Sequence, residues 1–426
     1  MARGWWKALI ALTVLLSTAG AGMAAGRSSV VTFWYYGSAL DFEVLEKIAA
    51  DFEAEHPDID VEVVNVPYTT TWEKWAVAVA GGVPPDASMA NWGVFQVMAD
   101  ALEPLERYAA RSREIQPRNF FPAHWAANWF NGHMLGLPFR ANSQVILYNK
   151  QMFRDAGLGA LPRTWSELAA TATRLTLHTG NEVERWGFSF RNFPHNRTVN
   201  HFAQRNGWQP FNAEYTEAYY NDPKLIETLS FLNDMVMRGV AAIQGMPGVG
   251  NLAGGEVAML NEGPWVLSGI RRANPDIEVG AFVPPAGPSG AQPYANMGGE
   301  NLVMFKDGQN KEAAWEWLVY LAYTRNAEYN RLTGAFFPVV TYAAQQRDWL
   351  ESEIWRAVLD NYNEGRLPRI GTPCGVRFAA SEAYDRALDD ILHQRKPIQG
   401  ALEEVQQIAL ADLKSPALQA CLQEQG

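Results

Sequence analysis

Past its first residues the chain switches repeatedly between a two-residue and a 3.6-residue hydrophobic period. "VVTFWYY" is a β-rich run that Gly37-Ser38 ends. "DFEVLEKIAADFEAEHP" then puts Phe42, Leu45, Ile48, Ala49 and Phe52 on one helical face before His56-Pro57 stops it. "DIDVEVVNV" returns to alternation and predicts a strand. Strand, helix, strand implies parallel pairing and an α/β domain. "TTTWEKWAVAVAGG" as a helix and "PPDASMANW" as a strand repeat the unit. In open α/β sheets ligands collect beyond the carboxyl ends of the strands. Here those ends are Tyr35-Tyr36-Gly37-Ser38 and Ala90-Asn91-Trp92.

Further on, "HMLGLPFRANSQVILYNKQMF" holds two β-like runs split by "PFRANS". "LPRTWSELAATATRLT" predicts a helix with Thr164 as N-cap and Glu167 completing a capping box. "RWGFSFRN" predicts a strand and "PKLIETLSFLNDMVMRG" a helix. Val257 to Leu260 reads as a strand that Asn261, Glu262, Gly263 and Pro264 break, with a helix restarting at Trp265. "IEVGAFVPPAG" and "NLVMF" are strands, "KEAAWEWLVYLAY" is a helix, and the pattern from about residue 340 is mostly helical. No internal repeat, heptad or low-complexity tract appears.

The first 26 residues belong to export rather than to the fold. Arg3 and Lys7 precede the apolar run Ala8 to Leu16, and the small residues of "STAGAGMAAG" follow. That is the pattern of a cleaved secretory signal, with an apolar core too short to anchor in a bilayer. A periplasmic location is expected. About 400 residues remain, which implies two domains. Loss of Arg3 and Lys7 takes the net charge from −11 to −13. So acidic a chain is a poor partner for nucleic acid or an anionic membrane. Cys374 and Cys421, the two cysteines, are expected to form one disulfide in an oxidising compartment. Such a long closed loop stabilises a fold by about 4 kcal/mol in the chain-entropy model.

Dinucleotide, phosphate-loop, zinc-protease and serine-hydrolase motifs are absent, and no cofactor or metal is expected. His195 and His201 are six apart and fall on different helix faces. Glu262 and Glu300 sit beside glycines at strand exits, but glycoside hydrolysis needs two such groups about 5 to 9 Å apart. The distinguishing feature is aromatic content: 16 Trp and 12% aromatic residues. Trp72, Trp75, Trp315 and Trp317 have core spacing, whereas Trp34 to Tyr36, Trp92, Phe190 and Trp265 fall where strands end. A flat aromatic face packs on the C–H face of a pyranose while nearby polar groups bond its hydroxyls.

The segments "FNGHMLGLPFRANSQVILYNKQMF", "LPRTWSEL" and "GEVAMLNEGPW", with "PPDASMANW" and "DFEAEHPDIDVEVV", carry a family likeness in this order. With them the chain resembles the periplasmic solute-binding proteins of ABC sugar importers, the maltose-binding-protein-like family, over nearly its whole mature length. The resemblance implies the two-lobed type II periplasmic binding protein fold, with three hinge crossovers and a helical C-terminal region. It puts lobe 1 at 27–141 plus 300–325 and lobe 2 at 142–299 plus 326–426. The crossovers then fall near Ala141 to Gln144, Gly298 to Asn301 and Tyr323 to Tyr329. It further implies a non-catalytic monomer that binds a carbohydrate between the lobes by hinge closure and delivers it to the permease subunits. The alternatives are a receptor for a polyol or glycerol-phosphate-type solute and a secreted glycosidase.

Carried over position by position, the first lobe contributes Tyr36, Gly37, Ser38, Asn91 and Trp92, and the crossover Arg140 and Asn142. The second lobe contributes Arg191, Asn192, Glu262 and Trp265, and the return strand Gly298, Gly299 and Glu300. Trp265 is implied to stack on the ligand, with Pro264 setting the turn that aims it. Arg377, beside Cys374, is a further candidate that no motif places. Asn142 stands where maltose-binding protein has a carboxylate, and Gly93-Val94 do not match its charged contacts, so maltodextrin specificity is not implied.

Overall fold

The computed structural model describes residues 29–91, 95–180, 182–190, 196–243, 245–246, 248, 250–290, 293–294, 298–334, 337–338, 340–341, 351–364 and 378–425. The segments that carry the export signal, Trp92, Arg191, Asn192, His195, Cys374 and Arg377 lie outside these residues. The expected Cys374–Cys421 pairing therefore falls outside them too.

Alternating apolar residues make Ser29–Tyr35 a strand, β1, that buries Val31, Phe33 and Tyr35. The helix Ala39–Glu55, α1, lays Val44, Leu45, Ile48, Ala49 and Phe52 back over it. Strand Ile59–Asn65, β2, pairs parallel with β1, and after helix Thr71–Ala80, α2, strand Ala87–Asn91, β3, pairs parallel on its other side. Strand Leu137–Asn142, β4, completes the first pass.

Only Ser143 and Gln144 separate β4 from strand Val145–Asn149, β5, which belongs to a second sheet. Helix Trp165–Leu175, α3, follows, then strand Phe188–Ser189, β6, and helices Asn196–Arg205, α4, and Pro223–Met237, α5. Strands Ala241–Ala242, β7, and Met259–Glu262, β8, helix Leu267–Ala273, α6, and strand Val279–Phe282, β9, finish that sheet. The chain returns as strand Gly298–Met304, β10, helices Lys311–Val319, α7, and Asn326–Thr333, α8, and strand Phe337–Pro338, β11. Helices Glu353–Glu364, α9, Ala379–Leu392, α10, and Ile398–Asp412, α11, follow.

The sheets run β11-β4-β10-β3-β1-β2 and β7-β6-β8-β5-β9, each mixing parallel and antiparallel pairs. Each sheet packs apolar residues against its helices, and one cluster spans both, holding Phe33 and Leu302 with Leu147 and Leu260. Phe33, Phe52 and Trp317 meet edge to face at the first sheet, while Trp165, Phe202 and Phe231 pack at the second with Leu388 and Leu402 nearby.

One expectation changes. Asn261 and Glu262 do not break the strand at 257–260: they pair with Ile146 and Val145 and form the end of β8. Asn261 tolerates full burial because its amide reaches Thr198 and His201, a long-range pairing that local polarity cannot show. Helix α8 packs against β1 and β4, where Asn326 donates to the Phe139 carbonyl and Tyr329 bonds Tyr35 and Asp41.

At the start of α3, Thr164 Oγ1 accepts the Glu167 N–H at 3.2 Å, as the cap pattern predicts, while the Glu167 carboxylate accepts from Arg163 rather than from the cap. Thr164→Ala should lower stability by about 1 kcal/mol. An unchanged denaturant midpoint would contradict that role.

Candidate functional site

Because β1, β2 and β3 run parallel, their carboxyl ends open on one side, at Tyr36–Ser38, Asn65–Tyr68 and Asn91. These ends form one wall of a cavity of about 800 Å³ between the lobes. The opposite wall comes from α4, which offers Arg197, Asn200 and Gln204, and from Trp265 in the turn after β8. The floor is Arg140, Asn142 and Gln144 at the first crossover, with Glu300 on the returning strand and Asp41 in α1. A side pocket of about 230 Å³ opens behind Tyr36 and Tyr68, against Thr71, Trp72 and Trp75. Across the cleft, Arg197 Nη2 donates to Tyr68 Oη at 3.0 Å, so the lobes touch there.

Several of these positions follow from backbone requirements. Ser38 caps α1: its hydroxyl accepts the Asp41 N–H, and Asp41 Oδ2 accepts the Ser38 N–H at 2.7 Å. Gly37 must lack a side chain, since a Cβ there would lie 1.9 Å from the Tyr35 hydroxyl. At Gly263 a Cβ would lie 1.8 Å from the Trp265 ring, and Pro264 opens the short turn that carries the indole. At Gly298 it would lie 2.4 Å from the Asn142 amide oxygen. Gly263 and Gly298 let the cavity-lining side chains of Trp265 and Asn142 lie close on the backbone.

Charge is concentrated on the floor. Glu300 lies opposite Arg140 on one neighbouring strand and Asn91 on the other, beside a bulge where Phe139 is the extra residue of β4. Bulges re-aim side chains, and Pro138 suits one because it has no N–H to give a ladder. Arg140, 2% exposed, donates from Nε to Glu300 Oε2 at 3.0 Å and from Nη1 to Tyr329 Oη at 2.9 Å. Its Nη1 also stands 3.7 Å from Asp41 Oδ1. Burial pushes the Glu300 carboxyl above the usual carboxylate range, and the Arg140 charge opposes that push.

Behind the α4 wall, a buried polar chain ties the first crossover to the second lobe. Asn361 Nδ2 donates to Ser143 Oγ at 2.6 Å and to the Gln144 carbonyl at 3.1 Å. His201 Nδ1 meets Asn261 Oδ1 at 3.2 Å, and burial pushes the imidazole down to about 3, so it is neutral. His201 is thus a structural residue, with Asn261 and Asn361 as partners.

Of the residues expected from the sequence, Tyr36, Gly37, Ser38, Asn91, Arg140, Asn142, Trp265 and Glu300 line the cavity. Glu262, Gly298 and Gly299 are not among its lining residues, and Glu262 Oε1 accepts the Gly263 N–H at 3.1 Å. Trp92, Arg191, Asn192 and Arg377 lie outside the described residues. The strand-end aromatics divide: Tyr35 and Phe190 are core, and Trp34 packs partly buried against a small third cluster. Asp41, Asn65, Tyr68, Gln144, Arg197, Asn200 and Gln204 are additional lining residues. The spacing of Arg197, Asn200 and Gln204 over two helical turns was the one signal for them, and a solvated helix face gives the same signal. Among the described residues no cluster of potential metal ligands occurs, and no helix is long and apolar enough to cross a membrane.

The family model for bacterial extracellular solute-binding proteins matches residues 36–328. The maltotriose-binding protein of Pyrococcus abyssi is 23% identical over 403 residues, 91% of this chain and 83% of that protein. The sn-glycerol-3-phosphate-binding periplasmic protein of Pectobacterium atrosepticum is 26% identical over 354 residues, 78% of each chain. Among solved structures, an ABC substrate-binding protein of Listeria monocytogenes in complex with cycloalternan superposes with a TM-score of 0.79. It is 21% identical and covers 90% of this chain and 98% of its own.

Proposed function

This chain belongs to the bacterial extracellular solute-binding proteins, and from that premise we propose that it is the substrate-binding component of an ABC importer that holds a neutral carbohydrate between its lobes. The protein is exported to the periplasm, acts as a monomer, and hands its ligand to the permease after hinge closure. Each lobe follows one sheet. Ligand contacts come from Tyr36, Asn91, Arg140, Asn142, Trp265 and Glu300, joined by Tyr68, Gln144, Arg197, Asn200 and Gln204.

The observation that carries this reading is the charge on the floor of the cleft. Arg140 is the deepest cation, and its charge is already balanced by Glu300 at 3.0 Å and Asp41 at 3.7 Å. A phosphate would want cations that no carboxylate offsets. A neutral sugar instead needs an aromatic face, supplied by Trp265, and many hydrogen-bonding groups. Hydrolysis would need two carboxyl groups flanking the glycosidic bond. Of the two that line the cavity among the described residues, Asp41 gives its oxygens to Ser38 and Tyr329. Arg197 on the α4 wall is the one observation that favours the second reading, a glycerol-phosphate receptor, which the Pectobacterium relative also raises.

Thermal unfolding against glucose, maltose, maltotriose, glycerol and sn-glycerol 3-phosphate separates these readings. A ligand at 100 times its Kd stabilises the fold by about 2.7 kcal/mol, a rise of several degrees in Tm. The expected result is a rise with a neutral sugar that is recovered intact. A rise with the phosphate alone would select the second reading, and a sugar recovered in pieces would overturn the binding-protein assignment.

A further inference from the structure

One buried polar atom in the cleft lacks the partner that such atoms normally have, and a carboxylate oxygen in the same cavity is left open to a donor. Tyr36 is 5% exposed, and its hydroxyl is buried without a hydrogen-bond partner among the described residues. Glu300 is also 5% exposed. Its Oε2 accepts from Arg140 and, at 3.5 Å, from Asn142, whereas Oε1 accepts from no group among the described residues. Both residues line the same cavity. They face each other electrically as well: after burial itself, the Glu300 charge is the largest influence holding the Tyr36 phenol well above its usual range. The phenol therefore keeps its proton and is a donor at neutral pH.

An unmet buried polar group is rare in native structures and calls for a specific explanation. Leaving one unsatisfied is destabilising, and the Tyr36 hydroxyl is such a group. Tyr36 could be Phe without loss of its edge-to-face contact with Tyr68, at 5.1 Å between ring centres. What remains is a donor and an anionic acceptor in one cavity, electrically coupled, open to a single group that can both accept and donate.

We propose that Tyr36 Oη and Glu300 Oε1 together hold one ligand hydroxyl, which accepts from the phenol and donates to the carboxylate, and that this pair selects a neutral polyhydroxy ligand against an anionic one. The proposal rests on the carbohydrate-binding reading and narrows it. A phosphate or carboxylate oxygen has no proton for Glu300 Oε1 and meets its charge. A deoxy or O-methyl sugar altered at that hydroxyl loses both bonds at once.

The test uses titration calorimetry on the mature protein with maltotriose and sn-glycerol 3-phosphate as probes, and thermal unfolding without ligand. Tyr36→Phe should weaken the neutral sugar about 5-fold and Glu300→Gln about 50-fold, since the second bond is to a charged group. The double variant should fall close to Glu300→Gln alone, because both residues act on the same hydroxyl. Glu300→Gln should tighten, not weaken, any binding of sn-glycerol 3-phosphate. Without ligand, Tyr36→Phe should keep or raise Tm, since it removes a hydroxyl that has no partner.

A fall of several degrees in the ligand-free Tm of Tyr36→Phe would overturn the proposal by revealing a partner within the protein. Sugar affinity unchanged in both variants, or losses that multiply in the double variant, would overturn it while leaving the carbohydrate reading intact. Failure of wild type to bind either probe would count against the carbohydrate reading, and the ligand-free measurement would still decide for or against the unmet phenol.

Discussion

Arg140→Leu is expected to destabilise the protein by about 3–5 kcal/mol, the cost of breaking a buried ion cluster by removing one partner. The guanidinium sits at 2% exposure among Glu300, Asp41 and the Tyr329 hydroxyl. Deleting it leaves two carboxylates at 5% exposure without the charge nearest to both. At a few degrees per kcal/mol, Tm should drop by about 10 °C. The double variant Arg140→Leu with Glu300→Leu should recover part of that loss, because no lone charge is then left between β4 and β10.

The deficit should also depend on pH, with a definite sign. Glu300 already has its carboxyl pushed above the ordinary 4.5 by burial, against the opposing pull of Arg140. Without Arg140 the folded-state value rises further, while the unfolded value stays ordinary. A group raised in the fold contributes stability that is present below its unfolded pKa and lost as pH rises through its folded pKa. The variant should therefore approach wild type below about pH 4.5 and fall behind as pH increases. Asp41 and Arg197 are the other charged groups that act on Glu300, and neither is altered by the substitution. A deficit that stayed constant from pH 4 to 8 would mean the loss is one of packing alone.

Trp265→Ala should leave stability nearly unchanged and weaken the sugar about 30- to 100-fold. The indole is half-buried at the cavity wall, so its removal opens no hole in either core. What disappears is a large apolar face and its stacking on a pyranose, together about 2 to 3 kcal/mol. Trp265→Phe should retain most of the affinity, since it keeps a flat ring in the same turn. Calorimetry on both variants decides the matter. An affinity within twofold of wild type for Trp265→Ala would remove the stacking role and leave the aromatic content of the cleft unexplained. Gly263 matters for the same reason, because only a residue without a Cβ lets the ring lie on the backbone behind it.

Local pattern was enough for the elements and for part of the site. The face of α1 that period alone predicts is buried almost as written, with Val44 inside and Phe42 only partly covered. The Thr164 cap is where the sequence puts it. Trp265 stood out because a large aromatic in a Gly-Pro turn is poorly placed for a core, and the turn does aim it at the cavity. These features depend on residues within a few positions of each other, and so leave a mark on the sequence.

What tertiary structure alone decided lies between residues far apart in the chain. Arg140 meets Glu300 across 160 positions and Tyr329 meets Asp41 across 288, and neither pairing has a local signature. With Asn326 on the Phe139 carbonyl, such contacts hold α8 against β1 and β4. They also turn Tyr35 inward to Tyr329, while Tyr36, one residue on, is left at the cleft with its hydroxyl unmet. Two adjacent tyrosines where a strand ends look alike in sequence, and their rings stack at 6.5 Å, yet only the Tyr35 hydroxyl finds a partner among the described residues. Which hydroxyl is bonded and which is left for the cavity is settled only when α8 brings Tyr329 against Tyr35.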